Sequence, residues 1–295
     1  MVMLDNLATE SRNELTKDLD LLSTRQILEI MNSEDKKVIE AVKDSLDEIE
    51  ILVSECIRTY KDDGRIVYLG AGTSGRLGLM DAVEVVPTFN SDRFVGIIAG
   101  GSEAYVRAAE GAEDSKELAV EDLKKIGLNE HDLVIGIAAS GRTPYVIGGL
   151  DYARSLGAKT GCLCCNFNTE IAQHCDYPIE LSAGPEIITG STRLKSGTCQ
   201  KLVLNMISTA TMVGVGKVYG NLMVDVRATN KKLEERCRRV VMEITGCDHD
   251  RADEVLKETD NDCTLAIIMI LMNLSKEEAQ EKLEAADGNI REALK

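Results

Sequence analysis

Ile66-Val67-Tyr68-Leu69-Gly70-Ala71-Gly72-Thr73-Ser74-Gly75-Arg76 is a short apolar run that passes directly into a glycine and hydroxyl turn. An apolar run without polar alternation is the mark of a strand covered on both faces, and glycines after it let a new helix start close to the strand's end. Outward from this stretch the texture recurs in Val95 to Ala99, Leu133 to Ala138, Thr160 to Cys165 and Tyr177 to Leu181. Short apolar strands separated by stretches long enough for helices predict an α/β fold, a parallel five-stranded sheet flanked by helices.

At about 150 residues per domain, a chain of 295 residues suggests two domains, or one with an appendage. From Leu21 to about Leu52, Ile27, Ile30, Val38, Ala41, Val42, Leu46 and Ile49 recur at helical spacing with Asn32-Ser33 as a break, predicting a helical lead-in. Leu202, Val203, Leu204, Met206 and Ile207 give a helix over 197–218 more than one apolar face, so it should be buried and able to lie between subunits. The C-terminal part repeats itself: Ala252-Asp253-Glu254-Val255-Leu256 returns as Ala279-Gln280-Glu281-Lys282-Leu283, 27 residues on, and the same offset relates Asp260 to Asp287 and Ala266 to Ala293. With Asp248 and Ser275 as N-caps, each copy reads as a short helix pair. The two copies form a small bundle resembling a ubiquitin-associated fold, with a packing role favoured over partner binding. The expected division is 1–54 (helical segment), 55–220 (sheet domain) and 221–295 (linker and bundle).

A formal net charge of −16 repels phosphodiester backbones and anionic lipid headgroups, which argues against nucleic acid and membrane partners. The longest apolar run, Leu265 to Met272, is far too short to span a bilayer. The start, Met1-Val2-Met3-Leu4-Asp5-Asn6, has no export signal. Nine cysteines without a regular framework fit a reducing cytoplasm. Cys162, Cys164 and Cys165, near His174-Cys175, lack paired CxxC spacing and read as buried thiols beside a sheet rather than a metal site. His131, His174 and His249 read as surface residues.

The third strand runs into Ala139-Ser140-Gly141-Arg142-Thr143-Pro144. Both this loop and the first join glycine, hydroxyls and a new helix N-terminus, a cradle for one small phosphate built from Gly72, Thr73, Ser74, Ser140, Arg142 and Thr143. The first loop is also literally G-x-G-x-x-G. A dinucleotide site wants a carboxylate at the tip of the second strand, where this chain has Ala99-Gly100-Gly101, and Arg76 after Gly75 breaks the triphosphate loop pattern. A sugar phosphate fits better than a nicotinamide cofactor. Arg193 and Lys195, in a glycine and hydroxyl turn before the long helix, either face the substrate's phosphate or carboxylate or form a surface salt bridge.

The two loops resemble a sugar isomerase (SIS) domain, and longer strings narrow the resemblance. Leu69 to Gly78, Glu110 to Ser115, Gly136 to Tyr145, Thr189 to Thr198 and Gly220 to Asp225 are similar to those of the N-acetylmuramic acid 6-phosphate etherase family, over nearly the whole chain. The resemblance implies an SIS fold and a lyase that removes D-lactate from the C3 ether of N-acetylmuramic acid 6-phosphate, yielding N-acetylglucosamine 6-phosphate. It implies no metal or cofactor and active sites shared across a homodimer. One departure lies beside the chemistry: where the family usually has Ser-Glu-Cys-Pro-Pro-Thr, this chain reads Val83-Glu84-Val85-Val86-Pro87-Thr88, with the glutamate kept among more apolar neighbours. A non-catalytic sugar-phosphate sensor is the alternative on the same fold.

In the ring-opened sugar the aldehyde acidifies the C2 proton, so a base can remove it while an acid protonates the departing C3 oxygen, and water then adds at C3. Glu84, between Ala82-Val83 and Val85-Val86, is in the setting where loss of water favours the protonated carboxyl, and is the expected general acid. Glu113, carried over from the family string, is the expected C2 base, with Asp114 as a stand-in. The residues alone leave Glu113 equally open to being a solvated surface glutamate.

Overall fold

The computed structural model describes residues 7–107, 111–226 and 231–295. The lead-in is three helices, α1 (Thr24–Glu34), α2 (Lys36–Lys43) and α3 (Leu46–Lys61). Ser23 and Gln26 open α1 with a reciprocal capping box. The break falls at Asp35 and not at Asn32-Ser33, because α1 is carried on to Glu34, whose buried carboxylate is bonded by Asn13, Lys37 and Lys195.

β1 (Ile66–Gly70) runs into α4 (Gly72–Phe89). There follow β2 (Phe94–Ile98), α5 (Glu103–Val106), α6 (Lys116–Lys125), β3 (Leu133–Ala138), α7 (Pro144–Ser155), β4 (Lys159–Cys164), β5 (Tyr177–Glu180) and α8 (Lys195–Gly214). The five strands pair in parallel in the order β2-β1-β3-β4-β5, each within a residue of the expected bounds. One sheet face, with Val67, Leu69, Val134 and Cys162, packs with Leu123 of α6 and Val146 and Leu150 of α7. On the other face, a Cβ added at Gly78 of α4 would lie 3.0 Å from Tyr68 Cβ, and one at Gly161 would lie 2.8 Å from Leu52 of α3. Cover on both faces is the reason the strands carry no polar alternation, and each fully buried Leu or Ile there contributes about 1.5–3 kcal/mol. Cys162, Cys164 and Cys165 are buried thiols of this core, Cys164 Sγ lying 3.9 Å from Cys162 Sγ. The long helix ends at Gly214, short of the expected Val218, where Gly216 turns left-handed at φ +84°.

The chain forms two compact units, one of residues up to Ala82 with Arg93–Ser208, the other of Val83–Asp92 with Thr209–Lys295. In the second, β6 (Val218–Tyr219) and β7 (Leu222–Met223) form an antiparallel pair. It continues with α9 (Lys231–Thr245), α10 (His249–Glu258), α11 (Cys263–Met272), α12 (Lys276–Ala285) and α13 (Ile290–Ala293). The repeat is visible in the helices: α10 and α12 begin and end 27 residues apart, and Asp248 and Ser275 each accept a backbone N–H three residues on. Val241, Ala252, Ile268, Ala279 and Ile290 fill its core. Among the described residues no helix is long and apolar enough to cross a membrane.

Candidate functional site

β1 is the point where the sheet order reverses, since the chain leaves it for β2 on one side and comes back to β3 on the other. Between two such strands the carboxyl ends open a crevice that receives ligands. Gly70 is in register with Ile137, so both glycine loops leave the sheet side by side at that crevice.

In the first loop Gly72 adopts φ +53°, and Gly75 sits so close to the strand that a Cβ there would come within 2.6 Å of the Gly70 carbonyl oxygen. The helix therefore starts directly over the strand's end, and the N–H groups of its first turn, where Thr73 and Ser74 lie, stand free to hold an anion. Ser74 is buried and its hydroxyl donates to Gln200 Oε1 at 2.9 Å.

The second loop is held from behind. The Ala139 carbonyl accepts from Cys165 N–H and Asn166 Nδ2, each at 3.0 Å, and the Gly141 carbonyl from Ile171 N–H at 3.0 Å. Gly141 has φ +72° and faces Thr169, whose Cβ would lie 2.3 Å from an added methyl. Pro144 begins α7, and Thr143 before it spends no side-chain bond on capping the helix. Ser140 Oγ accepts from the Arg142 N–H at 3.4 Å.

Glu113 lies in a single helical turn, Ala112–Asp114, entered through Gly111 at φ +75°. Ala112 packs on the core beneath α7, while Glu113 and Asp114 are exposed. Glu110, at the head of that family string, lies outside the described residues. Arg76 Nε donates to the Tyr105 carbonyl at 3.1 Å, tying the first turns of α4 to the segment that leads from β2 toward Glu113.

Two expectations change in the structure. Lys195 faces neither solvent nor the crevice: it is 1% exposed, with Nζ bonded to Glu34 Oε2 at 2.7 Å and to the Ala183 carbonyl at 3.0 Å. Its backbone N–H and that of Ser196 donate to Glu186, a buried carboxylate that caps α8. Burial pushes the Glu34 carboxyl up, but its bonds from Lys195, Lys37 and Asn13 outweigh that and hold it down at about 2. Arg193, two residues earlier, is exposed and keeps the expected access. Glu84 lies in α4, and in the single chain it is exposed rather than shielded from water. Its apolar neighbours do not enclose it because helical residues radiate: Val85 points into the core while Val83 is 57% exposed. Glu84 belongs to the second compact unit and Glu113 to the first.

One helical turn before Glu84, Asp81 is buried, its Oδ1 accepting from Asn205 Nδ2 at 2.7 Å and Ser208 Oγ at 3.2 Å. Burial pushes its carboxyl up, and those bonds only partly offset it.

Comparison with known proteins agrees with this architecture. Residues 117–210 match the SIS domain, and residues 48–154 match the glucokinase regulatory protein N-terminal SIS domain. A phosphoheptose isomerase from Francisella tularensis superposes with a TM-score of 0.51 at 15% identity, over 65% of this chain and 100% of that one. A protein from Escherichia coli CFT073 gives a TM-score of 0.50 at 17% identity, over 68% and 97%. At such identity these two establish the fold alone. N-acetylmuramic acid 6-phosphate etherase from an Exiguobacterium species is 56% identical over 99% of this chain and 100% of its own, and that from Bacillus mycoides 55% over the same shares. The chain belongs to the N-acetylmuramic acid 6-phosphate etherase family. In this etherase-family chain the residues that sequence reasoning misses all act from behind the loops: Asn166 on the second, Gln200 on the first, and Glu34 and Glu186 on the start of α8. None lies in a glycine motif, and Glu34 and Glu186 stand among polar or loop residues that give no local signal.

Proposed function

We propose that the protein removes D-lactate from C3 of N-acetylmuramic acid 6-phosphate and returns N-acetylglucosamine 6-phosphate, by elimination and then addition of water. The observation that carries this reading is 56% identity along the full chain to an enzyme of that name, and the steps are assigned here to the crevice between β1 and β3. The crevice between β1 and β3 takes the phosphate on the N–H groups of α4 and α7 and the hydroxyls of Thr73, Ser74, Ser140 and Thr143. Arg142 and Arg193 supply positive charge for the phosphate or the lactyl carboxylate. In the open-chain aldehyde Glu113 takes the C2 proton, the C3–O bond breaks, and Glu84 gives its proton to the lactate oxygen. Water then adds to C3, its proton returning to Glu84, while Glu113 hands its proton back to C2.

Glu84 is assigned to the crevice of a second copy in a homodimer, as the resemblance to a family with active sites shared across subunits implies. Two stripes support association: Met80, Val83 and Pro87 beside Glu84, and Met206, Ala210 and Val213 on α8, all exposed at helical spacing.

Incubation with N-acetylmuramic acid 6-phosphate should release D-lactate. Tight binding without lactate would make the protein a sensor instead. Mixing the Glu84→Gln and Glu113→Gln variants should restore part of the activity, because a mixed dimer holds one intact site; no recovery after subunit exchange would refute the shared site.

A further inference from the structure

The bond between Ser74 and Gln200 leaves something unexplained. Gln200 is 1% exposed on α8 and, among the described residues, makes one hydrogen bond, through Oε1 to the Ser74 hydroxyl, while its buried Nε2 has no partner there. Whichever way the amide is turned, one end meets Ser74 and the other meets nothing, which costs about 1–3 kcal/mol in a buried position. Such a group is retained where it does something for its neighbour. The neighbour is the hydroxyl of the first loop, and the site is stiff. Lys195 and Ser196 are clamped by Glu34 and Glu186 at the start of α8. A Cβ at Gly197 would touch Thr73 Cγ2 at 3.5 Å and Leu77 Cδ1 at 3.8 Å. Gln200, three residues further, is on the same face of α8 toward α4.

Proton arithmetic follows. A serine hydroxyl has one proton and a phosphate dianion only accepts, so Ser74 cannot bond a phosphate while it donates to Gln200 Oε1. If the Gln200 amide turns over, Nε2 donates to Ser74 Oγ, the hydroxyl proton is freed toward the crevice, and Oε1 takes the unpartnered end. The result is a chain from Nε2–H through Oγ–H to a phosphate oxygen, in which each bond polarises the next. We infer that Gln200 is a positioning residue that directs the Ser74 proton, accepting it in the structure described and donating to the hydroxyl once a sugar phosphate is bound. This rests on the sugar-phosphate reading of the first loop.

Steady-state kinetics on N-acetylmuramic acid 6-phosphate with Ser74→Ala, Gln200→Met and the double variant tests it, each checked for folding by thermal melting. Met keeps the volume of Gln while removing donor and acceptor. Ser74→Ala is expected to raise KM about tenfold and Gln200→Met about threefold to tenfold, the loss falling on KM more than on kcat, whereas Gln200→Met added to Ser74→Ala changes KM no further. In the unmodified protein, the Gln200 side-chain amide NMR signals should shift on adding N-acetylglucosamine 6-phosphate and not on adding N-acetylglucosamine. If Ser74→Ala leaves KM unchanged, the phosphate reading of the loop falls and the role of Gln200 with it. If Ser74→Ala raises KM but Gln200→Met does not, or raises it equally in both backgrounds, or the amide signals stay still, only the role of Gln200 is overturned. If Gln200→Met does not fold, the amide signals alone decide.

Discussion

Replacing Glu34 by Gln removes the counter-charge of a lysine that has nowhere else to go. Glu34 and Lys195 are 2% and 1% exposed and meet at 2.7 Å. The carboxyl is held down from 4.5 to about 2; at about 1.4 kcal/mol per pH unit, that fall corresponds to about 3 kcal/mol of stability at neutral pH. An independent route, the cost of stranding one partner of a buried pair, gives about 3–5 kcal/mol. The two agree, so the variant should lose about 3–4 kcal/mol at pH 7. Because the folded carboxyl is more acidic than the unfolded one, this stability is present in full above pH 4.5 and disappears as pH falls toward 2. The gap between the unmodified protein and Glu34→Gln should thus narrow by about 1 kcal/mol between pH 6 and pH 3.5. Urea unfolding read by tyrosine near-ultraviolet circular dichroism reports this unit, since Tyr68 and Tyr145 are fully buried in it and the chain has no tryptophan. A gap under about 1 kcal/mol at pH 7, or one that does not change down to pH 3.5, would refute the reasoning.

Gly141→Ala forces a side chain into a left-handed position 2.3 Å from Thr169, so a loss of about 1–3 kcal/mol in urea unfolding is expected, together with a raised KM. In deuterated water, NMR should show Glu84→Gln failing to release lactate yet still exchanging the C2 proton, and Glu113→Gln losing both, with rates down on the order of 100-fold or more. Lactate release by Glu84→Gln at near the unmodified rate would show the assigned roles to be wrong. Asp248→Ala and Ser275→Ala each delete a cap that accepts one backbone N–H, and each should cost the helical repeat about 1 kcal/mol, visible as a lower melting temperature.

The strands are legible in the sequence because cover on both faces leaves no polar residue to interrupt Leu133 to Ala138 or Ile66 to Leu69. The loops are legible because glycine favours the left-handed conformations at Gly72 and Gly141, and the repeat because Asp248 and Ser275 cap equivalent helices. What stays hidden depends on contacts between distant parts of the chain. Lys195 reads as an exposed cation because its partner, Glu34, is 161 positions away. Gln200 carries no motif, and its meaning comes from Ser74, 126 positions away. Glu84 reads as enclosed because four apolar neighbours in sequence look like a pocket, and only the helix shows that they point in different directions.

The reversal of strand order at β1 also decides when the crevice can exist during synthesis. β1 ends at Gly70, and β3, which forms the other wall, ends at Ala138. A ribosome adding about 5–20 residues per second needs several seconds to cover that interval, and more before β3 clears the exit tunnel. Through that time β1 has at most β2 beside it, and one of its hydrogen-bonding edges stays open in a chain already carrying the apolar run Ile66 to Leu69. The nascent protein therefore passes through a period when an interior strand of its sheet can pair with the wrong partner, and slowing translation between Gly70 and Ala138 should lower the yield of soluble enzyme more than slowing it after Glu180.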